Sequence, residues 1–442
     1  MATVSFDWNS RLVTQETCEE FADALEYTWR TIRTGMLVDP VVASQTLLTF
    51  ILIKWYEEST GNHIANPEDS ETLLTKLNHL FAKSRHWHAR LTESNPDCAK
   101  FQTIFDMSEI DCTSTVAFEV MTTLWPWNLS QSPVKARSQA YDSFISCLFK
   151  RELGQFSTPA PVAMLMVGLL QPTAADLIGD LAVGTGRTLM YTANHIFKFD
   201  GQQASPAAGF QDHQLYGTEL NRNVAQIAYI NSLMHGLRPY VCLGDSISKE
   251  SLTIGTIYEE GMGEDACFPN ELTAILVDPP FGMKETNEQL LQEYARYDGV
   301  AAKNGKVVKS ISVELMFLAR ALEYLKPGGR LVVLLPEGML SNAVMQYVRD
   351  WILRQAKLKA IVSLPQTTFT PFGASIKTSI LALQKRDRPM KMESLEDERI
   401  YMARIDDIGY DFNGNPTEAV NEDGMALEVQ HVIKEFLQKV EW

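Results

Sequence analysis

The chain has 442 residues, of which 45% are hydrophobic, so it can bury a sizeable core and is long enough for two or three domains. Its six cysteines are scattered, without a Cys-x-x-Cys pair, so we expect reduced thiols and no metal site. A formal net charge of −16 excludes a uniformly basic, nucleic-acid-coating protein. The sequence has no apolar run of membrane-spanning length, and residues 1–7 lack the basic start and apolar core of a signal peptide, so we expect a cytoplasmic protein without membrane contact.

The charge is unevenly distributed along the sequence. Between Lys303 and Lys391 there are 15 Lys and Arg against five Asp and Glu. A basic section of this kind can face DNA phosphates, although ordinary solvated helix faces would give the same composition. Because the rest of the chain is strongly acidic, we expect tight DNA binding to need a partner chain.

The N-terminal third of the sequence is typical of helices. Residues Thr17–Arg33 and Val41–Tyr56 carry apolar side chains at helical spacing, and no glycine-rich or catalytic motif occurs there. We predict a helical N-terminal domain over residues 1–140 and a catalytic domain over residues 141–390. A C-terminal tail with a closing helix is predicted for residues 391–442.

The first motif is Gly-Gln-Phe-Ser-Thr-Pro, residues 154–159, which precedes an apolar helix predicted over Val162–Leu170. Thr158 is the expected N-cap of this helix, and Pro159 suits the first turn. A helix N-terminus also offers free N–H groups to a carboxylate. A plain capped helix would look the same.

The second motif is a short strand that leads into Asp180 and then Val-Gly-Thr-Gly, where Gly184 and Gly186 would allow close approach of a ligand. The third glycine of the dinucleotide fingerprint is missing, and the pattern is not a phosphate-binding loop of the Walker type. An acidic residue before the glycines instead favours a ligand that carries an ammonium group.

Two further acidic residues follow predicted strands. Glu219 ends a strand over Gln214–Leu220, and Asp245 ends the next, which begins at Tyr240. At the carboxyl edge of a doubly wound sheet, such carboxylates accept hydrogen bonds from ribose hydroxyls and from a nucleobase amine. The series predicts a crevice for a nucleoside.

The last motif is Asp278-Pro279-Pro280-Phe281, which follows the apolar strand Leu272–Val277. The two prolines fix the turn and remove backbone donors, so carboxylate and carbonyl oxygens are left to accept hydrogen bonds. Phe281 adds a flat apolar surface. This combination suits a planar substrate with an amino group, although Asp-Pro-Pro also occurs in ordinary turns.

In this order, the motifs resemble those of the N6-adenine DNA methyltransferases, and most closely those of the modification (M) subunit of type I restriction–modification systems. The resemblance covers roughly residues 141–384 and includes Leu325-Lys326-Pro327-Gly328-Gly329-Arg330. It implies an α/β, Rossmann-like S-adenosylmethionine-dependent methyltransferase fold, with a mostly parallel seven-stranded sheet and a helical N-terminal domain.

The resemblance also implies roles for individual residues. The cofactor would be S-adenosylmethionine, with cofactor-binding positions Phe156, Thr158, Pro159, Asp180, Gly184, Thr185, Gly186, Glu219 and Asp245. The catalytic positions would be Asp278, Pro279, Pro280 and Phe281. Three positions depart from the common family pattern: Asp278 stands where Asn is usual, Val183 where Cys or Ala is frequent, and Arg187 where Gly is common.

The implied activity is methyl transfer to N6 of adenine in double-stranded DNA, with the base flipped out and stacked on Phe281. Phe369 or Phe372 would cover its other face, although ordinary loop packing explains these rings equally well. The implied partners are a separate DNA-specificity subunit, a second copy of the chain and a restriction subunit. Two alternatives stay open: an N-methyltransferase for RNA or protein glutamine, and a catalytically silent scaffold subunit.

Overall fold

The computed structural model describes residues 9–62, 70–90, 104–148, 157–199, 214–237, 240–248, 272–297, 300–303, 306–394, 398–417, 420–421 and 425–442. The α-helices in these ranges are α1 (Cys18–Met36), α2 (Pro40–Thr60), α3 (Ser70–Arg90), α4 (Ser114–Leu124), α5 (Val134–Leu148), α6 (Ala160–Leu170), α7 (Arg187–Phe199), α8 (Arg222–Met234), α9 (Glu288–Tyr294), α10 (Val313–Tyr324), α11 (Glu337–Ser341), α12 (Gln346–Gln355) and α13 (Leu427–Lys439). Short 3-10 helices cover Ala343–Met345, Thr370–Phe372 and Met392–Ser394.

The β-strands of the same ranges are β1 (Arg11–Leu12), β2 (Trp127–Asn128), β3 (Ile178–Asp180), β4 (Leu215–Glu219), β5 (Tyr240–Leu243), β6 (Leu272–Val277), β7 (Lys284–Glu285), β8 (Ala302–Lys303), β9 (Lys306–Val307), β10 (Ile311–Ser312), β11 (Leu325–Pro336), β12 (Ala356–Ser363), β13 (Thr378–Lys385) and β14 (Tyr401–Arg404). No described helix has the length and apolar character needed to cross a membrane.

The chain divides into two compact units. Among the described residues, the first unit comprises those within 9–157 and 221–243, and the second comprises those within 158–220, 244–248 and 272–442. The boundaries at residues 140 and 390 stay a prediction, as does the C-terminal tail as a separate part. In the structure, β14 pairs with β12 and α13 packs against α6, all within the second unit.

The first unit consists mainly of helices, as predicted for the N-terminal region. Helix α1 buries one stripe of apolar residues, including Phe21 and Leu25, because they recur at helical spacing. Helix α2 begins after Asp39, whose carboxylate accepts hydrogen bonds from the N–H groups of Val41 at 2.8 Å and Val42 at 3.0 Å. These bonds satisfy backbone donors that have no partner inside the helix.

A charged pair is buried inside the first unit. Lys54 Nζ lies 2.7 Å from Oε1 of Glu58, and both side chains are almost fully buried. Glu57 on the same helix accepts a hydrogen bond of 2.6 Å from the indole N–H of Trp125. Because burial disfavours the charged form, the pKa of Lys54 is lowered, although Glu58 acts in the opposite direction.

The second unit is built on a large, mostly parallel sheet. Among the described residues this sheet has eight strands, one more than the seven predicted. The seven strands that belong to this unit run in the order β14-β12-β13-β11-β6-β3-β4. Strand β13 is antiparallel to both of its neighbours, whereas β6 pairs in parallel with β11 and β3. Five of the six side chains of β6 are buried, which explains its nearly continuous apolar sequence.

Strand order determines which loops meet at the carboxyl edge of the sheet. Strand β3 lies between β4 and β6 and is parallel to both, with Asp180 in register with Gly217 and Leu276. Asp180 and Glu219 end β3 and β4, and Asp278 follows β6 directly. Three carboxylates that are far apart in the sequence therefore come together at one edge.

Candidate active site

We call the group formed by Asp180, Glu219 and Asp278 the acidic edge. Asp180 is 1% exposed, and the other two residues are half-buried. Burial raises the pKa of Asp180 to about 6, and the nearby charge of Glu219 adds to this effect. Burial likewise raises the pKa of Asp278 to about 7, and the charge of Asp180 contributes further. Desolvated, mutually repelling carboxylates of this kind favour a cationic ligand.

The glycine loop lies beside the acidic edge. Gly184 and Gly186 have φ values of +54° and +82°, in the left-handed region that favours glycine. A Cβ atom on Gly184 would meet no atom closer than the carbonyl oxygen of Ala182 at 3.8 Å, so there is space beside this backbone. Thr185, between the two glycines, is buried. The backbone N–H of Gly184 donates a hydrogen bond of 3.2 Å to Oε2 of Glu219.

Asp180 holds the loop in place. Its Oδ1 accepts a hydrogen bond of 3.0 Å from the N–H of Ala182, and its Oδ2 accepts one from the hydroxyl of Thr188 at the start of α7. Each of these bonds lowers the pKa of Asp180, against the larger opposing effect of burial. Asp180 thus connects the end of β3 to the first turn of α7.

Thr158 has a different role from the one predicted. The N-cap of α6 is Pro159, which makes no side-chain capping bond, so the expected cap at Thr158 is wrong. The hydroxyl of Thr158 instead donates a hydrogen bond of 2.7 Å to Oδ2 of Asp278. The local sequence made this hydroxyl a candidate cap, but its partner is Asp278, which follows β6 and lies 120 residues further along the chain.

Asp245 lies in the turn after β5, next to Glu219. The N–H of Gly244 donates to the carbonyl of Glu219 at 2.9 Å, and the N–H of Ile247 donates to Oδ1 of Asp245 at 3.0 Å. The hydroxyl of Ser246 donates to the carbonyl of Leu181 at 2.5 Å, which connects this turn to the glycine loop. Burial raises the pKa of Asp245.

The turn formed by Asp278, Pro279, Pro280 and Phe281 leads away from β6. Pro279 is buried, Pro280 is exposed and Phe281 is half-buried. The ring of Phe281 contacts the buried ring of Phe369 edge-on, with centroids 5.7 Å apart and an interplanar angle of 72°. Phe281 is therefore held by a second aromatic ring next to the carboxylate.

Phe372, the other predicted stacking residue, lies in the 3-10 helix after Phe369 and is half-buried. It makes an edge-on contact with Tyr410, with centroids 6.1 Å apart. The hydroxyl of Tyr410 donates to the carbonyl of Thr368 at 2.7 Å. The loop that carries both phenylalanines is thus fixed to the segment after β14.

Three residues of the site were not singled out as functional in the sequence. Arg187 is buried and donates a hydrogen bond of 2.8 Å from Nη1 to the carbonyl of Thr158. Glu314 is buried and accepts a hydrogen bond of 2.7 Å from the N–H of Gly282. Arg320 is fully buried and donates to the carbonyl of Ile247 at 2.9 Å. The available signal for Glu314 and Arg320 was a charged residue inside an apolar helical segment, and for Arg187 it was the departure from the family pattern.

The predicted site residues in the described part of the second unit lie along one edge of its sheet and in the loops next to it. These are Thr158, Pro159, Asp180, Gly184, Thr185, Gly186, Glu219, Asp245, Asp278, Pro279, Pro280, Phe281, Phe369 and Phe372. Phe156 lies outside the described residues. The individual roles of these residues stay predictions.

Comparison with known proteins identifies relatives. A family model described as N-6 DNA Methylase matches residues 137–421. The methylase subunit of the type I restriction enzyme EcoEI from Escherichia coli is 26% identical over 234 residues, which cover 52% of this chain and 42% of that protein. The chain thus spans about two fifths of the length of this curated relative.

Two solved structures share the fold. The methyltransferase subunit of a type I restriction-modification system from Streptococcus thermophilus gives a TM-score of 0.63 at 15% identity, over 96% of this chain and 94% of that one. A proposed class I S-adenosylmethionine-dependent methyltransferase from Listeria monocytogenes gives a TM-score of 0.57 at 14% identity, over 89% of this chain and 94% of that one. The predicted S-adenosylmethionine-dependent methyltransferase fold is confirmed.

Proposed function

The chain belongs to the N-6 DNA methylase family, and we propose that it transfers a methyl group from S-adenosylmethionine to the N6 amino group of adenine in double-stranded DNA. It would do so as the modification subunit of a restriction–modification or related phage-defence complex. The observation that carries the proposal is the adjacency of β3 and β6, which brings Asp278 beside Asp180 and the glycine loop. One edge of the sheet thus carries both Asp278, which can accept a hydrogen bond from an amine, and the glycine loop, which suits a cationic nucleoside.

The chemistry of the site fits the proposed cofactor. S-adenosylmethionine carries a sulfonium and an ammonium group, and the acidic edge would compensate this charge. Because Gly184 has no Cβ atom and has space beside it, a ligand can approach its backbone closely. Asp180 and the glycine loop would hold the methionine end, Glu219 the ribose and Asp245 the adenine. When bound, the cofactor supplies a methyl group whose C–S bond breaks as the N6–C bond forms, with loss of one amine proton.

The role of Asp278 follows from the electronic structure of adenine. Its exocyclic amine is a poor nucleophile because the lone pair is delocalised into the ring. A hydrogen bond from the amine to Asp278 favours a pyramidal nitrogen whose lone pair can attack. Thr158 would fix the orientation of the carboxylate through its hydrogen bond of 2.7 Å. The contribution is positioning together with electrostatic stabilisation.

Access to the amine requires base flipping, because the atom cannot be reached inside a duplex. Phe281 would provide the stacking surface for the flipped adenine. Phe369 contacts Phe281 edge-on rather than face-on, so we propose that it supports the stacking ring. Phe372 remains a candidate for the second face of the base, in a loop fixed by Tyr410.

The proposed partners are double-stranded DNA and a separate DNA-specificity subunit, with a second copy of the chain and a restriction subunit as further members of the complex. The acidic net charge of −16 supports a need for help in DNA binding. The proposal includes a cytoplasmic location, because the complex would act on cellular DNA.

The direct test is a search for N6-methyladenine in host DNA. Long-read sequencing would compare a strain that carries the gene and its neighbours with a strain that lacks this gene alone. We expect methylated adenine in one sequence context, and its loss in the deletion strain and in a D278A strain. Equal methylation in all three strains would contradict the proposal. A parallel assay would supply S-adenosylmethionine with a labelled methyl group. Label recovered in RNA or protein, and not in DNA, would favour another amine or amide substrate.

A further inference from the structure

One helix, α10, contacts two parts of the candidate site. In its first turn, Glu314 accepts a hydrogen bond of 2.7 Å from the N–H of Gly282, which directly follows Phe281. Further along, Arg320 donates to the carbonyl of Ile247 at 2.9 Å. The N–H of Ile247 in turn donates to Oδ1 of Asp245 at 3.0 Å. A single rigid element thus connects the catalytic turn and the Asp245 turn.

We propose that α10 is a brace with two positioning residues: Glu314 sets the geometry of the Asp278–Phe281 turn for methyl transfer, and Arg320 sets the Asp245 turn for cofactor binding. This inference rests on the proposed function and deepens it. Neither side chain is assigned contact with the substrate or the cofactor.

The Glu314 end of the brace holds the backbone of the catalytic turn. Gly282 has a φ of +75°, and its N–H is oriented toward Oε1 of Glu314. The N–H of Val313 donates to the carbonyl of Met283 at 3.1 Å, and the β7–β10 pairing continues the connection, with Lys284 in register with Ser312. The exit of the turn is therefore fixed to the N-terminus of α10 by several bonds.

Burial makes the carboxylate at position 314 costly to the fold. Glu314 is 2% exposed, and its Oε2 has no hydrogen-bond partner among the described residues. Burying a carboxylate with an unpaired oxygen costs free energy that an apolar side chain would avoid. At this position a carboxylate offers the hydrogen bond to Gly282, which an apolar side chain could not accept. The role of Glu314 is therefore to fix the geometry of the turn and not to fill the core.

The Arg320 end is an ion network in which the arginine is buried and the two glutamates are partly exposed. Arg320 is 0% exposed. Its Nη2 lies 2.5 Å from Oε1 of Glu293, and its Nη1 lies 2.6 Å from Oε2 of Glu323. The hydroxyl of Tyr294 donates to the same Ile247 carbonyl at 2.9 Å. The positive charge of Arg320 also lowers the pKa of Asp245, against the larger effect of burial. Two donors thus fix the carbonyl of the residue whose N–H holds Asp245.

The first test changes Glu314 in the full chain, assembled with its partner subunits. Single-turnover transfer of tritiated methyl to unmodified genomic DNA gives the rate, and calorimetry gives the S-adenosylmethionine Kd. We expect E314A to lower the rate about tenfold, the effect of one lost hydrogen bond, and to change Kd much less. E314Q keeps an oxygen acceptor and should recover most of the rate.

The second test changes the other end of the brace. R320K cannot reproduce the planar fork of donors, so we expect it to raise the S-adenosylmethionine Kd about tenfold and to lower the rate at saturating cofactor much less. Y294F removes only one donor to Ile247 and should give a smaller shift in the same direction. Because Y294F keeps the ring, it tests the proposal even if R320K fails to fold.

Matched controls come from the same unit. Glu428, in the first turn of α13, accepts hydrogen bonds from the backbone N–H groups of Asp406 and Asp407, so E428A removes a similar helix-to-loop bond. Arg386 is 9% exposed and donates to the carbonyl of Leu353 and to Glu398, so R386K removes a similar buried fork. In neither control variant should the methyl-transfer rate or the S-adenosylmethionine Kd change without the other.

The proposal requires that the Glu314 variants change mainly the methyl-transfer rate and that the Arg320 and Tyr294 variants change mainly the S-adenosylmethionine Kd. If E314A and E314Q were equally slow, or if R320K and Y294F left Kd at the wild-type value, the brace would be refuted. If the wild-type complex bound no S-adenosylmethionine, the proposed function would fail and this inference with it. If wild type bound and methylated but the variants did not separate, only the inference would fail.

Discussion

Thr158 and Asp278 form a hydrogen bond of 2.7 Å between two motifs that are remote in the sequence. The bond fixes the rotation of the Asp278 carboxyl group at the end of β6. It also lowers the pKa of Asp278, against the larger effect of burial, which raises that pKa to about 7. Orientation and ionisation of the proposed amine acceptor therefore depend on one hydroxyl group.

The first prediction concerns Asp278 itself. D278A removes the acceptor, and we expect methyl transfer to fall by about 10²-fold or more, as for the loss of one preorganised polar group at a reacting centre. D278N keeps an oxygen acceptor and should retain a measurable rate. The measurement is single-turnover methyl transfer to unmodified genomic DNA, with calorimetry to confirm that each variant still binds S-adenosylmethionine. Wild-type turnover in D278A would contradict the assigned role.

The second prediction concerns pH. Because the pKa of Asp278 is raised to about 7, the carboxyl group is protonated below that pH and loses strength as an acceptor for the amine. We expect kcat/KM, which reports the free enzyme, to rise with pH and to level off above about pH 7.

The T158V variant tests the cause of this profile. Valine has the shape of threonine but cannot donate to Asp278, so the pKa of Asp278 should rise further. We expect the acid limb of kcat/KM to move to higher pH in T158V, to stay in place in T158S, and to disappear in D278N. A limb that persists unchanged in D278N would belong to another group.

The third prediction uses stability instead of activity. In the unfolded chain an Asp has a pKa of about 3.9, so the folded protein binds the extra proton between about pH 4 and pH 7. The free energy of unfolding that Asp278 contributes therefore falls as pH rises through this window. Since Asn does not titrate, D278N should gain stability relative to wild type from pH 4 to pH 7 and show a constant difference above that. Denaturant unfolding at several pH values gives the measurement.

The sequence was sufficient to predict the acidic edge. Asp180 and Glu219 end their strands and Asp278 follows β6 directly, and parallel strands place their carboxyl ends at the same edge. The connections of Thr158, Arg187 and Glu314 could not be predicted in this way. Each depends on where a side chain from one element meets the backbone or side chain of another, which is a result of tertiary packing rather than of local pattern.

The predicted N-cap at Thr158 shows the same limit. A threonine before a proline and an apolar helix satisfies the local rule for capping. In the structure the hydroxyl donates to the half-buried carboxylate of Asp278, which is the stronger acceptor. The pairing of β14 with β12 was likewise not evident from the local sequence, because it depends on tertiary packing.

The fourth prediction concerns the glycine loop. Gly184 and Gly61 both have positive φ values, +54° and +70°, and neither has an atom within about 3.8 Å of an added Cβ. Alanine at either position should therefore cost a similar stability, about 1 kcal/mol. Only G184A would place a methyl group at the proposed cofactor site, so we expect it alone to raise the S-adenosylmethionine Kd, by about tenfold. Thermal unfolding and calorimetry measure the two effects separately, and equal Kd values for both variants would contradict the cofactor site.

The fifth prediction concerns Phe281, which is held edge-on by Phe369 with ring centroids 5.7 Å apart. If Phe281 stacks on the flipped adenine, F281A should weaken productive DNA binding by about 1–3 kcal/mol, the usual loss when an aromatic ring that stacks on a base is replaced by alanine. F281W keeps a flat ring and should restore much of the activity. F412A removes a phenylalanine that is 59% exposed and serves as the control. Methyl transfer is measured as kcat/KM for DNA. Because the proposed partner of Phe281 is the base and not the cofactor, the S-adenosylmethionine Kd should stay at the wild-type value in all three variants. A loss of cofactor affinity in F281A would instead show that the ring supports the cofactor side of the site.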